Sequence, residues 1–165
     1  MKVSSDDVFS LMIFKIDDIS YAINVNYVVM VLETPEIIKI PDMPEYIAGY
    51  IQTNNLFSPI IKGKLNTNLS TFEFSHYPHI LILYSDWNKP ISHIGIMVSD
   101  FSDVTTINKN EVKAFPSLGN IYKPFFIEGV IEINKRLILL INNIFILTDA
   151  EKVMIKNIFD NIVKN

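Results

Sequence analysis

Residues 44–51 read Pro44-Glu45-Tyr46-Ile47-Ala48-Gly49-Tyr50-Ile51, and residues 124–131 read Pro124-Phe125-Phe126-Ile127-Glu128-Gly129-Val130-Ile131. The two stretches lie 80 residues apart. At that one offset Pro44 matches Pro124, Tyr46 matches Phe126, Ile47 matches Ile127, Gly49 matches Gly129 and Ile51 matches Ile131. The agreement runs on without a gap to Asn54 with Asn134 and Ile61 with Ile141. A shared spacing of this length marks two copies of one small folding unit. A second echo lies upstream. Ala22-Ile23, Val25, Val28 and Val31 recur as Gly95-Ile96, Val98, Phe101 and Val104, at an offset of 73.

Around these echoes the chain reads as strands. Val8–Ile16 and Ser20–Val25 flank the turn signal Asp17-Asp18 and form a hairpin. Asn24 or Asn26 is placed to cap a short helical turn through Tyr27–Val31. Ile37–Ile40 is a short strand closed by Pro41, and Pro41–Pro44 is a loop because both prolines remove a donor and fix φ. Tyr46–Thr53 and Leu56–Ile61 flank Asn54-Asn55, a dipeptide that tolerates the positive φ of a tight hairpin turn. Residues 66–75 read as a surface loop. His79–Tyr84, Ser92–Val98 and Phe101–Ile107 continue the pattern, and Lys109–Leu118 is a helical turn and loop. Phe125–Ile133 and Leu137–Ile141 repeat the earlier hairpin around Asn134-Lys135.

The chain closes with a helix. Thr148-x-x-Glu151 is a capping box, and Met154, Ile155, Ile158, Phe159 and Ile162 recur at helical spacing on one face. That face is expected to pack on one barrel. Many short strands separated by regular turn signals point to barrels or a sandwich, and two halves of roughly 70 residues, each about the size of a five-stranded barrel, suit a pair of barrels. The expected fold is therefore mainly β: two five-stranded β-barrel subdomains packed side by side, with a C-terminal α-helix. The expected division is a single domain over 8–147, with subdomains at roughly 20–75 and 79–147. Strand 8–16 and the C-terminal segment are free to cross between them, and 148–165 forms the helix.

Composition excludes several functions. Net charge is −4 and Arg136 is the sole arginine, so no clustered basic face offers itself to nucleic acid. No cysteine exists to serve as a disulfide, nucleophile or metal ligand. The apolar stretch Leu137–Leu147 is interrupted by Asn142-Asn143 and falls short of the ~20 residues of a membrane span, so no direct membrane insertion is expected. Met1–Asp7 is too polar for a signal peptide, and a cytoplasmic location fits.

Little else resembles chemistry. His76 and His79 flank Tyr77-Pro78 as a conceivable metal pair, but no third ligand is specified, and neither a metal nor another cofactor is expected. The five glycines are isolated, which leaves no phosphate-cradling loop. Gly49 and Gly129 read as structural, because glycine inside a strand marks a bulge or a close backbone approach. Trp87 reads either as a partner contact or as a ring folded back on the barrel. The acidic pairs Asp6-Asp7 and Asp17-Asp18 read as solvated surface. An adaptor or binding module fits these residues better than an enzyme does.

The ordered series Tyr21-Ala22-Ile23, Val28-x-x-Val31, Ile40-Pro41-x-x-Pro44-x-Tyr46-Ile47-x-Gly49 and Pro59-Ile60-Ile61 resembles the CheW family of bacterial chemotaxis coupling proteins. Ile94–Val98, Phe126–Val130 and Leu137–Ile141 continue the likeness, which runs from about Val8 to Leu147. The resemblance implies two five-stranded SH3-like barrels and an adaptor without catalysis. It implies two partners: the cytoplasmic tip of a methyl-accepting chemoreceptor, and the regulatory domain of a CheA-type histidine kinase. It implies a place at the inner face of the membrane, held there through receptor arrays. On that basis Val28, Met30 and Val31 are expected to line a receptor-binding groove, with Phe101 opposite. Gly49, Gln52, Asn54 and Phe57 are expected near a kinase-binding edge, and Pro44 and Gly129 are expected to be structural.

The chain departs from the family pattern in places. Where the family has Asn-Leu-Arg-Gly, this sequence has Gln52-Thr53-Asn54-Asn55. A family aspartate is Lys62, another is Ser99, another is Asn142, and a common acidic position is Met30. Joint loss of an arginine and aspartates suggests a polar network dismantled together, which costs less than losing one partner alone. Two further readings stay open. One is a degenerate scaffold that binds another partner or competes with a standard coupling protein. The other is a small-ligand or metal-binding double barrel.

Overall fold

The computed structural model describes residues 7–33, 36–53, 56–61, 76–85, 93–114, 126–142 and 147–163. Among these residues ten strands and one α-helix follow in chain order. They are β1 (Val8–Ile16), β2 (Ile19–Asn24), β3 (Val28–Glu33), β4 (Ile47–Gln52), β5 (Phe57–Ile61), β6 (His79–Tyr84), β7 (His93–Val98), β8 (Asp100–Asn108), β9 (Ile127–Ile133), β10 (Arg136–Ile141) and α1 (Asp149–Val163). They form two five-stranded sheets. The first has the order β8-β1-β2-β10-β9 and the second β3-β6-β7-β5-β4.

The two orders are the same pattern written twice. β9–β10 and β4–β5 are hairpins at one edge, and their registers coincide at the 80-residue offset. Ile127 faces Ile141 as Ile47 faces Ile61; Gly129 faces Leu140 as Gly49 faces Ile60; Glu132 faces Leu137 as Gln52 faces Phe57. Each hairpin also slips register by one residue at its glycine. The 73-residue echo is structural too: β2 runs parallel to β10 with Ala22 opposite Leu140, and β7 runs parallel to β5 with Gly95 opposite Ile60.

The glycines have a shared cause. Ile38 forms a bridge to Tyr50, and Lys113 forms one to Val130, so a crossing segment lies over each hairpin. A Cβ on Gly49 would collide with the Ile38 carbonyl oxygen, and Gly49 has φ +145. A Cβ on Gly129 would sit 2.8 Å from the Lys113 carbonyl oxygen. Close backbone approach, not catalysis, requires glycine at both positions.

The sheets divide the chain differently from the expected halves 20–75 and 79–147. β1 and β2 belong with β8, β9 and β10, whereas β3, β4 and β5 belong with β6 and β7. Each repeat therefore gives two strands to one sheet and three to the other. The exchange happens at two points: the 3-10 turn Val25–Tyr27 between β2 and β3, and Ser99 between β7 and β8.

The expectation of a helical turn over Tyr27–Val31 is corrected here. The turn closes at Tyr27, capped by the Asn24 side chain accepting the Asn26 N–H at 2.9 Å, and Val28–Glu33 is a strand. The β-branched run Val28-Val29-x-Val31 suits the extended pleat better than a helix. At the β9–β10 turn the chemistry is as read, while Asn54-Asn55 lies outside the described residues. Asn134 and Lys135 have φ 52 and 65, as a tight two-residue hairpin turn requires.

One core cluster joins the second sheet to the outer face of the first. Ile80, Leu81, Ile82 and Leu83 lie with Phe14, Ile16, Tyr21 and Ile23. A second cluster, with Leu11, Ala22, Ile131, Ile138 and Leu140, fills the inner side of the first sheet. Strand residues alternate between the clusters: on β10, Ile138 and Leu140 join one, Leu139 and Ile141 the other, while Leu137 stays 65% exposed.

Candidate functional site

Three surfaces have functional potential, and the strand exchange builds the first of them. β3 and β8 are edge strands of opposite sheets. On β3, Val28 and Val31 are half-buried against the main core, while Met30 is 39% exposed. On β8, Phe101 and Val104 are exposed. Phe101 reaches across to the other sheet, where its ring meets His79 edge-on, with centroids 5.0 Å apart and an 88° interplanar angle. His79 lies opposite Glu33 at the end of β3, and Val31 faces Leu81 one pleat earlier. Phe101 of β8 thus reaches the first residue of β6, the strand that pairs with β3. Glu33, Asp100 and Asp103 are exposed on the same edges and make the rim acidic.

His79 has a different task from the metal pair with His76 that its spacing suggested. Its Nδ1 is buried and has no hydrogen-bond partner, while its ring serves Phe101. His76 is exposed. Among the described residues no group of three His, Asp or Glu side chains is placed to hold a metal ion.

A polar knot fixes this meeting of the sheets. Asp17, at φ 55 in the β1–β2 turn, accepts the Tyr77 hydroxyl at 2.7 Å. Its N–H donates to Ser99 Oγ at 2.9 Å, and the Ser99 N–H donates to the Lys15 carbonyl at 2.8 Å. Asp17 is thus not simply solvated surface, and Ser99 has a new task at a position where the family resemblance implied an aspartate. Sequence reasoning missed the knot because its three members come from three separate segments. Nearby, Tyr21 is buried and stacks on Phe14 at 5.6 Å. Burial, with the Asp17 charge adding to it, pushes the Tyr21 hydroxyl up to about 12.

The second surface is the β4–β5 hairpin with α1. The capping box forms as read: Glu151 N–H donates to Thr148 Oγ1 at 3.1 Å, and Thr148 N–H donates to Glu151 Oε1 at 2.9 Å. The helix lays Phe159 against Tyr50 and Phe57, with ring centroids at 5.8 and 5.7 Å. Ile155 and Phe159 are fully buried. Tyr46 donates to Met154 Sδ at 3.6 Å, and burial, followed by the Glu151 charge, raises its pKa. The repeat accounts for the choice of face, since Ala48, Tyr50 and Phe57 stand where the other hairpin has Glu128, Val130 and Leu137.

Of the residues expected at a kinase-binding edge, Gln52 is exposed at the hairpin end and Phe57 is half-buried under α1. Gly49 is buried beneath Ile38, so its part is to shape the hairpin. The Pro44 carbonyl accepts the Ile47 N–H at 3.0 Å and starts β4. Asn54, the 66–75 loop and Trp87 lie outside the described residues.

The third surface is a cleft of about 620 Å³ at one end of the first sheet, bordered by Phe9, Asn24, Lys109 and Glu128. No helix among the described residues is long and apolar enough to cross a membrane.

Comparison with known proteins places this architecture. The model of the CheW-like domain family matches residues 10–151. The chemotaxis protein CheW of Bacillus subtilis (strain 168) is 25% identical over 107 residues, a match spanning 64% of this chain and 65% of that protein. The chemotaxis protein CheW of Rhizobium meliloti (strain 1021) is 21% identical over 131 residues, covering 79% and 82%. The crystal structure of the scaffolding protein TtCheW from Thermoanaerobacter tengcongensis superposes with a TM-score of 0.69 at 23% identity, covering 84% of this chain and 91% of that one. It shares the fold. With a family model spanning nearly all of both sheets, the chain belongs to the CheW-like domain family.

Proposed function

We propose that the protein is a non-catalytic chemotaxis adaptor that couples the cytoplasmic tip of a chemoreceptor to the regulatory domain of a CheA-type kinase. The observation that supports this most is the pair of exposed apolar residues on two edge strands. Met30 and Phe101 are exposed apolar side chains on β3 and β8 of opposite sheets, joined across by the Phe101–His79 contact. An amphipathic receptor helix can lay its apolar face along such a groove. The end of the β4–β5 hairpin, with Gln52 outward and Phe57 braced by α1, offers a separate rigid edge to the kinase domain. Binding both partners at once requires two distinct surfaces, and the edge at Met30 and the β4–β5 hairpin are the two candidates.

The test is a pull-down of the cognate receptor tip and the kinase regulatory domain by the purified chain. Both are expected to be retained. Met30→Asp combined with Phe101→Asp is expected to lose the tip and keep the kinase domain. Retention of neither partner by the unaltered chain would refute the coupling role.

Gln52-Thr53-Asn54-Asn55, in place of the family's Asn-Leu-Arg-Gly, favours a second reading. In that reading the chain is a scaffold that competes with a standard coupling protein. Complementation separates the two: restored swimming bias in a strain lacking its coupling protein supports the adaptor, and loss of bias on expression in an intact strain supports the competitor.

A further inference from the structure

We infer that the cleft at the end of the first sheet binds a small zwitterion bearing an apolar side chain, of the kind a free aliphatic or aromatic amino acid presents. The site is independent of the coupling role, since it lies away from the β4–β5 hairpin and shares no residue with the pair Met30 and Phe101.

Size and lining set the class of ligand. The cleft measures about 620 Å³, within the range of small-molecule sites. Val8, Phe9, Val112 and Leu140 give it apolar walls. Lys109 and Glu128 stand on the same lining with opposite charge. Neither takes part in an ion pair among the described residues, and both are exposed. Asn24 commits its Oδ1 to the Asn26 N–H, which leaves its amide hydrogens to donate. A carboxylate beside Lys109 and Asn24, an ammonium beside Glu128, and a side chain against Phe9 and Leu140 would use every part of this lining.

The repeat shows that this opening is not simply what the fold leaves behind. At the offsets fixed by the strand registers, Val8, Glu128, Leu140 and Ile141 correspond to Tyr77, Ala48, Ile60 and Ile61. All four of those counterparts are buried in the main core. Tyr77 fills the place of Val8 and anchors its hydroxyl on Asp17. Leu140 and Ile141 are buried like their counterparts, so the two copies differ at Val8 and Glu128, which border the cleft where Tyr77 and Ala48 are buried.

The test is titration of the ¹⁵N-labelled full chain with L-phenylalanine and with L-leucine, followed by amide chemical shifts. Saturable shifts are expected at Phe9, Asn24, Asn26, Lys109 and Glu128, with the β4–β5 hairpin unmoved. N-acetyl-phenylalanine amide, which lacks both charges, is expected to bind at least about tenfold more weakly, as are the variants Lys109→Glu and Glu128→Lys. Val112→Trp fills the cleft and is expected to abolish the shifts while the rest of the spectrum stays native, which separates plugging from unfolding. No saturable shift with either amino acid, or equal binding of the uncharged analogue, would overturn the assignment.

Discussion

Replacing Gly49 by alanine tests the account of the duplicated hairpin at its tightest point. Gly49 has φ +145, a backbone region that an L side chain occupies only under strain, at a cost of about 1–3 kcal/mol. The new Cβ would also collide with the Ile38 carbonyl oxygen and approach Ile37 Cγ2 to 2.9 Å. Relieving that collision means moving the crossing segment. The segment is held by two hydrogen bonds, Ile38 N–H to the Tyr50 carbonyl at 2.8 Å and Tyr50 N–H to the Ile38 carbonyl at 3.0 Å, worth about 1 kcal/mol each. Together Gly49→Ala is expected to cost about 3–5 kcal/mol, or roughly 6–20 °C in Tm for a chain of this size.

Gly129→Ala is the internal control. Its Cβ would meet Val112 Cγ1 at 2.6 Å and the Lys113 carbonyl oxygen at 2.8 Å, but φ there lies outside the left-handed range. Its cost is the steric part, about 1–3 kcal/mol. Urea unfolding of the three proteins gives the comparison. If Gly49→Ala falls within about 0.5 kcal/mol of the parent, or is less damaging than Gly129→Ala, the crossing segment does not require glycine at position 49.

Three further outcomes are expected. Phe159→Ala empties the pocket between Tyr50 and Phe57 and should cost about 3–5 kcal/mol, with α1 becoming a site of limited proteolysis. Thr148→Ala removes the cap from the same helix and should cost about 1 kcal/mol in thermal unfolding. Tyr21, whose folded-state pKa is raised from 10.0 to about 12, holds its proton more tightly in the folded than in the unfolded chain. Stability is therefore intact below pH 10 and falls as pH rises toward 12, by on the order of 2 kcal/mol. Tyr21→Phe should flatten that alkaline slope in a pH series of thermal melts.

Much of this architecture was legible in the residues because it is written twice. The Pro-Gly hairpins, the glycine bulges and the turn at Asn134-Lys135 follow from local chemistry repeated at one spacing. The helix cap was equally local, since Thr148 and Glu151 satisfy each other's backbone donors. What the sequence did not disclose was membership. β3 and β8 look alike in either sheet, because a β-branched edge strand fits any partner with the same pleat, and only the crossings at Val25–Tyr27 and Ser99 decide where each one goes. β3 itself was obscured because Val28 and Val31 also sit at helical spacing. Of the proposed groove, the apolar members were legible as residue types, but their division into half-buried Val28 and Val31 and exposed Met30 and Phe101 depends on that exchange. The knot of Asp17, Tyr77 and Ser99 and the cleft beside Lys109 and Glu128 depend on it in the same way.

The most direct test of the adaptor reading is reconstitution of the cognate receptor tip with the cognate kinase, with and without this chain, measuring kinase autophosphorylation. The account predicts that the chain brings the kinase under receptor control, and that Met30→Asp with Phe101→Asp removes that control while the fold is kept. Kinase activity indifferent to the chain, under conditions where a standard coupling protein changes it, would contradict the account.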